Sequence, residues 1–143
     1  DEEDEEDEEV AIAKRQAEAV AKQKVRTDKF GLLLRMKGFM WNANSHDLMG
    51  CVSHAGSMVT IEAAGTWTAL NPKAWSGTEG EKAELRKHWE APFNDRRQAL
   101  VFIGKDLKHE AIQEALDACL VTDEELAMGP DGWKATWGDV VLD

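Results

Sequence analysis

Ala99 to Ile103, ALVFI, is a short apolar run of β-forming residues closed by Gly104, and it reads as a buried strand. A helix follows it. Ile112, Ala115, Leu116, Cys119 and Leu120 recur at helical spacing to make one apolar stripe, while Lys108, Glu110, Gln113, Glu114 and Asp117 fall on the wet side. A strand that feeds a helix with a stripe to cover is a local folding unit, and it needs more strands to complete a core.

Those strands are available upstream. LLLRMKGFMWNA, from Leu32, reads as a strand with a bend or bulge at Gly38, and Asn44 to Asp47 as a polar turn. Cys51 to His54 and Met58 to Ile61 supply further strands, with a turn expected at Ala64-Gly65 before Trp67. Short strands joined by tight turns make an antiparallel meander. Asn71 to Gly80 is a connection in which Trp75 caps the core edge. Glu81 to Trp89 reads as a helix that Pro92 ends. Thr122-Asp-Glu-Glu125 is a capping box opening another short helix, which Gly129-Pro130 stops, and Asp131 to Asp143 follows as a tail. The expected fold is α+β: a small, mostly antiparallel sheet packed by helices, preceded by an Ala/Lys-rich helix and an acidic tail.

The front of the chain differs in character. Nine of the eleven net negative charges lie in the unbroken run Asp1–Glu9, which leaves −2 for the rest. Such a run buries nothing and reads as a mobile tail or linker, with buffering of hard cations as the less favoured alternative. Residues 10–29 form a charged helix or linker whose thin stripe, Val10, Ala13, Ala17, Val20 and Ala21, suits a surface position, docking on a partner or partial folding. The domain proper is expected over residues 30–133, with 134–143 as a C-terminal tail. A near-neutral folded part disfavours nucleic acid, because phosphate binding needs concentrated positive charge. The basic residues Lys14, Arg15, Lys22, Lys24, Arg26 and Lys29 follow the acidic run directly, and neutralising it is their simplest role.

No stretch is apolar and long enough to span a bilayer. Two cysteines are too few for a disulfide framework, so both read as thiols in an intracellular, reducing compartment, the cytoplasm or an organelle interior. The first residue is Asp1 rather than Met, which leads us to expect a processed chain or a fragment.

Candidate chemistry is sparse. Cys51-x-x-His54 has zinc-ligand types, yet no second pair follows, and on a strand residues three apart point to opposite faces. His46 and His109 read as exposed. Gly104-Lys105 lacks the partner glycine and the Ser or Thr of a phosphate-binding loop, and no serine sits in a nucleophile elbow. Catalytic, cofactor and metal residues are therefore expected to be none in this chain. The sharpest polar cluster is Asp95-Arg96-Arg97-Gln98. Its arginines suit planar contacts with carboxylate or phosphate on a partner; the reading the residues favour is structural, with Asp95 paired to one arginine at the entry to the strand. Six tryptophans are mostly core fillers, with an exposed Trp133 or Trp137 as a partner anchor. The candidate docking residues are thus Arg35, Lys37, Asp95, Arg96, Arg97, Trp133 and Trp137.

These motifs also carry a resemblance. Leu34-Arg35-x-Lys37-Gly38-Phe39-x-Trp41, Ala55-Gly56, Gly65-x-Trp67, Trp89, Asp95 to Gln98, Val101 to Gly104 and Ala115-Leu116-Asp117-x-Cys119-Leu120 together resemble the C-terminal domain of the CobW family of metallochaperone-type GTPases. The resemblance runs from about Leu32 to Trp133. It implies an α+β domain that follows a GTPase domain in proteins trafficking zinc, cobalt or related metals. The nucleotide and metal sites of the family lie in the GTPase domain, so it implies no site residue here. It implies instead an accessory, partner-recognising domain, with a parent GTPase domain or another protein as its partner; the alternative is a stand-alone subunit of a larger assembly. Family members usually bring a first strand and a helix with a His-Pro start ahead of the LR-x-KG strand, whereas this chain brings the acidic run and the Ala/Lys helix. Lys108 stands where the family commonly has an acidic helix-start residue, which weakens that cap.

Overall fold

The computed structural model describes residues 2–140 and 142. The chain runs α1 (Glu2–Phe30), β1 (Leu32–Asn42), β2 (Ser45–Ala55), β3 (Met58–Thr66), two 3-10 turns (Thr68–Leu70 and Pro72–Ala74), α2 (Glu79–Arg86), β4 (Ala99–Lys105), α3 (His109–Asp117), α4 (Asp123–Ala127) and α5 (Gly129–Trp137). The strands form one antiparallel sheet in the order β3-β2-β1-β4, so the fold is α+β as expected. Two compact units divide the chain. One gathers α1, the start of β1 and Gly104–Cys119; the other holds Leu34–Ile103 and the segment from Leu120 onward.

In the first unit, Gly31 ends α1. Its φ of +86° is the left-handed conformation that closes many helices, and its N–H donates to the Thr27 carbonyl at 2.8 Å. A side chain there would also run into the Asp106 carbonyl. Lys108 begins α3 without a side-chain cap, as its sequence position implied. Its own polar groups turn to α1 instead: the backbone N–H donates to Phe30 O at 3.0 Å and the ammonium to Asp28 O. A cation on the last carbonyls of a helix is favoured by the helix dipole. Two expectations change here. Residues from Glu2 onward are helical rather than a mobile tail, because acidic side chains suit the N-terminal end of a helix and the Ala/Lys segment continues it without a break. Asp1 lies outside the described residues. Cys119, expected on the stripe of α3, lies past its end and is exposed, since α3 stops at Asp117 and Ala118 takes the C-cap.

In the second unit, β2 alternates as a half-covered strand should. Gly50 and Val52 are buried while Cys51 and Ser53 are exposed. Val52 pairs with Gly38 and Ile61; Ser53 pairs with Lys37 and Thr60, and its hydroxyl lies 2.7 Å from that of Thr60. Of the bend or bulge expected at Gly38, no bulge enters the β1–β2 pairing, whose register runs evenly through it. Gly38 is needed for closeness: a Cβ would overlap the Ala99 carbonyl of the adjacent β4. Gly65 is not in a turn. It sits inside β3 with φ +95°, where the pairing shifts from Gly50↔Ala63 to Leu48↔Thr66, so β3 carries one extra residue as a bulge. The polar turn falls at Ala43-Asn44, and β2 starts at Ser45.

Later elements are local. Thr78 and Glu81 form a reciprocal capping box, so α2 starts two residues earlier than expected and ends at Arg86, well before Pro92. Thr122 and Glu125 form the second, predicted box at α4. Gly129 and Pro130 do end α4, yet they also open α5, with Pro130 in its first turn, so residues 129–137 are helical and not a tail.

Two predictions follow from these local geometries. Gly31→Ala is expected to cost about 1–3 kcal/mol in chemical denaturation from backbone conformation alone, with overlap at Asp106 added; Gly56→Ala, at φ +62° with open space around it, is expected to cost less. The Thr78 hydrogen bonds hold the Glu81 carboxyl below its usual range, the backbone bond first and the hydroxyl second. A depressed carboxylate contributes above its unfolded pKa and loses that contribution as pH falls through the folded value. Titration followed by NMR should therefore show Thr78→Ala raising the Glu81 pKa toward an ordinary glutamate.

Candidate partner-docking surface

The Asp95–Gln98 cluster is spent inside the second unit. Asp95, half-buried, accepts the backbone N–H of Thr68 at 2.7 Å and of Ala69 at 3.1 Å. These are the first donors of a 3-10 turn, which have no partner within the turn itself. The expected Asp95–arginine pair is therefore not formed, because two converging backbone donors hold the carboxylate instead. The Arg96 guanidinium lies over Trp41, 5.2 Å from its centroid, and 5.8 Å from that of Phe93, while its Nε donates to Phe93 O at 3.1 Å. A delocalised guanidinium is suited to such stacking. Gln98 accepts the Trp41 backbone N–H at 3.3 Å. Arg97 and Gln98 are both exposed, but no side-chain contact within the unit is seen for Arg97 among the described residues.

The cluster braces an aromatic group. Trp41 packs on Phe93 at 5.2 Å and edge-on against Trp133 at 5.8 Å; His46 meets Trp133 at 5.8 Å. The indole N–H groups are satisfied by backbone, Trp41 on His46 O at 3.0 Å and Trp133 on Glu125 O at 2.7 Å. Trp133 is only 5 % exposed, so it is a core residue and not the exposed anchor expected for it; α5 turns it inward. Trp137, one helical turn on, is exposed. His46 is half-buried against that indole rather than exposed. Trp67 is fully buried with Phe39 edge-on at 6.1 Å. Trp75 does sit at an edge: it stacks on Trp89 at 5.5 Å with Arg86 5.0 Å over its ring.

The side of the sheet opposite Val52 is exposed at its Arg35–Lys37 end, while farther along β1 the same side carries Phe39 against Trp67. Arg35 and Lys37 are exposed there, paired across to Ala55 and Ser53, and Met58 and Thr60 continue the same rows on β3. Cys51 lies on this face between Phe39 and Glu62, whereas His54 pairs with Met36 and Val59 on the other, so the strand separates the two as the three-residue spacing predicted. Among the described residues, no three His, Cys, Asp or Glu side chains gather as metal ligands, and no helix is long and apolar enough to cross a membrane. Sequence reasoning missed Phe93 and His46 as members of the aromatic group. Phe93 carried no signal, since it lies in the turn before β4 and its partner Trp41 is far back on β1.

The family model described as the cobalamin synthesis protein CobW C-terminal domain matches residues 8–120, and the chain belongs to that family. The match begins within α1, well before the Leu32 at which the motifs become recognisable. Among curated relatives, a zinc-regulated GTPase metalloprotein activator of Dictyostelium discoideum is 43 % identical over 78 % of this chain. A protein named as a zinc chaperone in Mycobacterium tuberculosis is 29 % identical over 72 % of it. The chain spans only 24 % and 26 % of the lengths of those two relatives. No solved structure matches.

Truncating Asp95 to Ala leaves two partly buried N–H groups without an acceptor and is expected to cost about 2 kcal/mol or more. Arg97→Ala should stay within about 0.5 kcal/mol of the parent, as an exposed residue does. Urea denaturation of the two variants separates the neighbours.

Proposed function

We propose that this chain is a non-catalytic accessory domain that recognises a protein partner within a CobW-like metal-trafficking system, the partner being a GTPase domain or the client that receives the metal. The reading is supported by the family match across residues 8–120 and by relatives named as a zinc-regulated GTPase metalloprotein activator and a zinc chaperone. The internal use of Asp95, Arg96 and Gln98 leaves Arg35, Lys37, Arg97 and Trp137 as the groups a partner would touch. Of these, Arg35 and Lys37 stand on a rigid strand pair, which holds two cations at fixed spacing for carboxylates on the partner. GTP and any transition metal would then be bound by the partner, in a reducing compartment that keeps Cys51 and Cys119 as the thiols they are here.

A second reading, a subunit that docks on a larger assembly without a GTPase, is favoured by one observation: α1 is a 29-residue helix whose residues 5–26 are exposed on every side.

A chimera separates the readings. The segment of the Dictyostelium relative that matches this chain is replaced by the chain itself, and GTP turnover is measured. The first reading expects turnover near that of the parent, and expects Arg35→Glu combined with Lys37→Glu to shift it while the sheet stays folded. A folded chimera that behaves like the relative deleted for that segment would sink the first reading.

A further inference from the structure

The helix α1 is difficult to account for within one chain. Glu5, Glu6, Asp7, Glu8 and Glu9 are consecutive acids on its N-terminal part, each exposed. Like charges three and four residues apart on a helix repel. The next basic residue, Lys14, is five positions beyond Glu9, out of reach of the usual helical pairing. Among the described residues no ion pair involves Glu5–Glu9; the pair recorded on this helix is Lys24–Asp28 at 3.1 Å, between side chains more than half exposed. A dipole effect favours acids only within the first turn, so it does not balance the whole run.

The matching cations are on the same helix and cannot reach. Lys22, Lys24, Arg26 and Lys29 lie on its C-terminal part, and six of the seventeen Lys and Arg residues of the chain belong to α1. A straight helix of this length is about 43 Å long, so its acidic and basic ends cannot meet each other. A second copy brings them together. Laid antiparallel, the acidic end of one α1 faces Lys22, Lys24 and Arg26 of the other, twice by symmetry. Laid parallel, acid would stack on acid. Between the charged ends runs a line of small apolar residues, Val10, Ala13, Ala17 and Val20, spaced three and four apart as a two-helix seam requires. Val10 is 68 % and Val20 66 % exposed, so among the described residues nothing covers that seam.

We infer that α1 pairs antiparallel with α1 of a second copy, the acidic end of each helix neutralised by the basic end of its partner. The seam is thin, so charge sets the orientation and a large share of the affinity. This interface does not involve Arg35, Lys37 or the sheet face, and it stands or falls independently of the accessory-domain reading.

Sedimentation velocity on the full 143-residue chain tests it. At about 100 µM protein and low salt the chain should be a dimer, and raising salt from about 0.025 M to about 0.25 M should weaken the dimer about tenfold, as screening of exposed charges requires. Two charge-reversed chains are then compared, one with Glu5→Lys, Glu8→Lys and Glu9→Lys, the other with Lys22→Glu, Lys24→Glu and Arg26→Glu. Each alone should dimerise about a hundredfold more weakly, and an equimolar mixture should recover a dimer of one copy of each. A parent chain that remains monomeric overturns the proposal. So does a dimer indifferent to salt, or two helical variants whose mixture stays monomeric. The salt series uses the parent chain, so it decides the matter even where a reversed helix fails to form.

Discussion

The carboxylate of Asp95 on the Thr68 and Ala69 amides is the contact on which the second unit depends. It fixes the chain where β3 has ended and Trp67 has been driven into the core, 27 residues away from the aspartate in sequence. The next residues of the same tetrapeptide reach elsewhere. Arg96 lies on Trp41 and Phe93, and Gln98 holds the Trp41 amide, so one short segment ahead of β4 ties down both the turn after β3 and the far end of β1. Each link uses a different chemistry, a charge-assisted hydrogen bond, a stacked guanidinium and an amide carbonyl, and none can stand in for another.

This brace matters because apolar burial is concentrated in few side chains. Among the described residues Val52, Trp67 and Trp133 are the buried hydrophobics, and two of the three are tryptophans. Large indoles fill much volume with few residues, and their N–H groups need acceptors, which the His46 and Glu125 carbonyls provide for Trp41 and Trp133. By contrast Met58, Val59 and Ile61 on β3, and Val101 and Ile103 on β4, remain exposed on the two outer strands of the sheet. Outer strands also present unpaired backbone donors and acceptors, and charged side chains or proline commonly protect them. On β3 the charged residue is Glu62 alone, and there is no proline.

Much of this was legible in the residues. The run at Ala99–Ile103, the stripe of α3 through Leu116 and the Thr122–Glu125 capping box depend on neighbours within a few positions, and each element formed where its pattern placed it. β4, however, is an outer strand with Val101 and Ile103 exposed rather than the buried strand expected. The Thr78 box has the same signature at Glu81, and α2 begins from it. Gly38 and Gly65 show the limit of local reading. Both signal an irregular strand, but only the pairing reveals that Gly65 carries the bulge while Gly38 admits the Ala99 carbonyl.

The sequence by itself determined the α+β class, the order of the strands along the chain and the family, because hydrophobic period, turn residues and motif spacing are properties of short segments. Tertiary structure decided what the polar and aromatic residues do. Asp95 read as the partner of a neighbouring arginine until the Thr68 and Ala69 amides came within 3.1 Å of it, and Trp133 read as a candidate open anchor until α5 turned it against Trp41. Such contacts join residues far apart in the chain, 57 positions between Trp41 and Gln98 and more between Trp41 and Trp133, and their partners are chosen by how the strands pack rather than by what lies beside them.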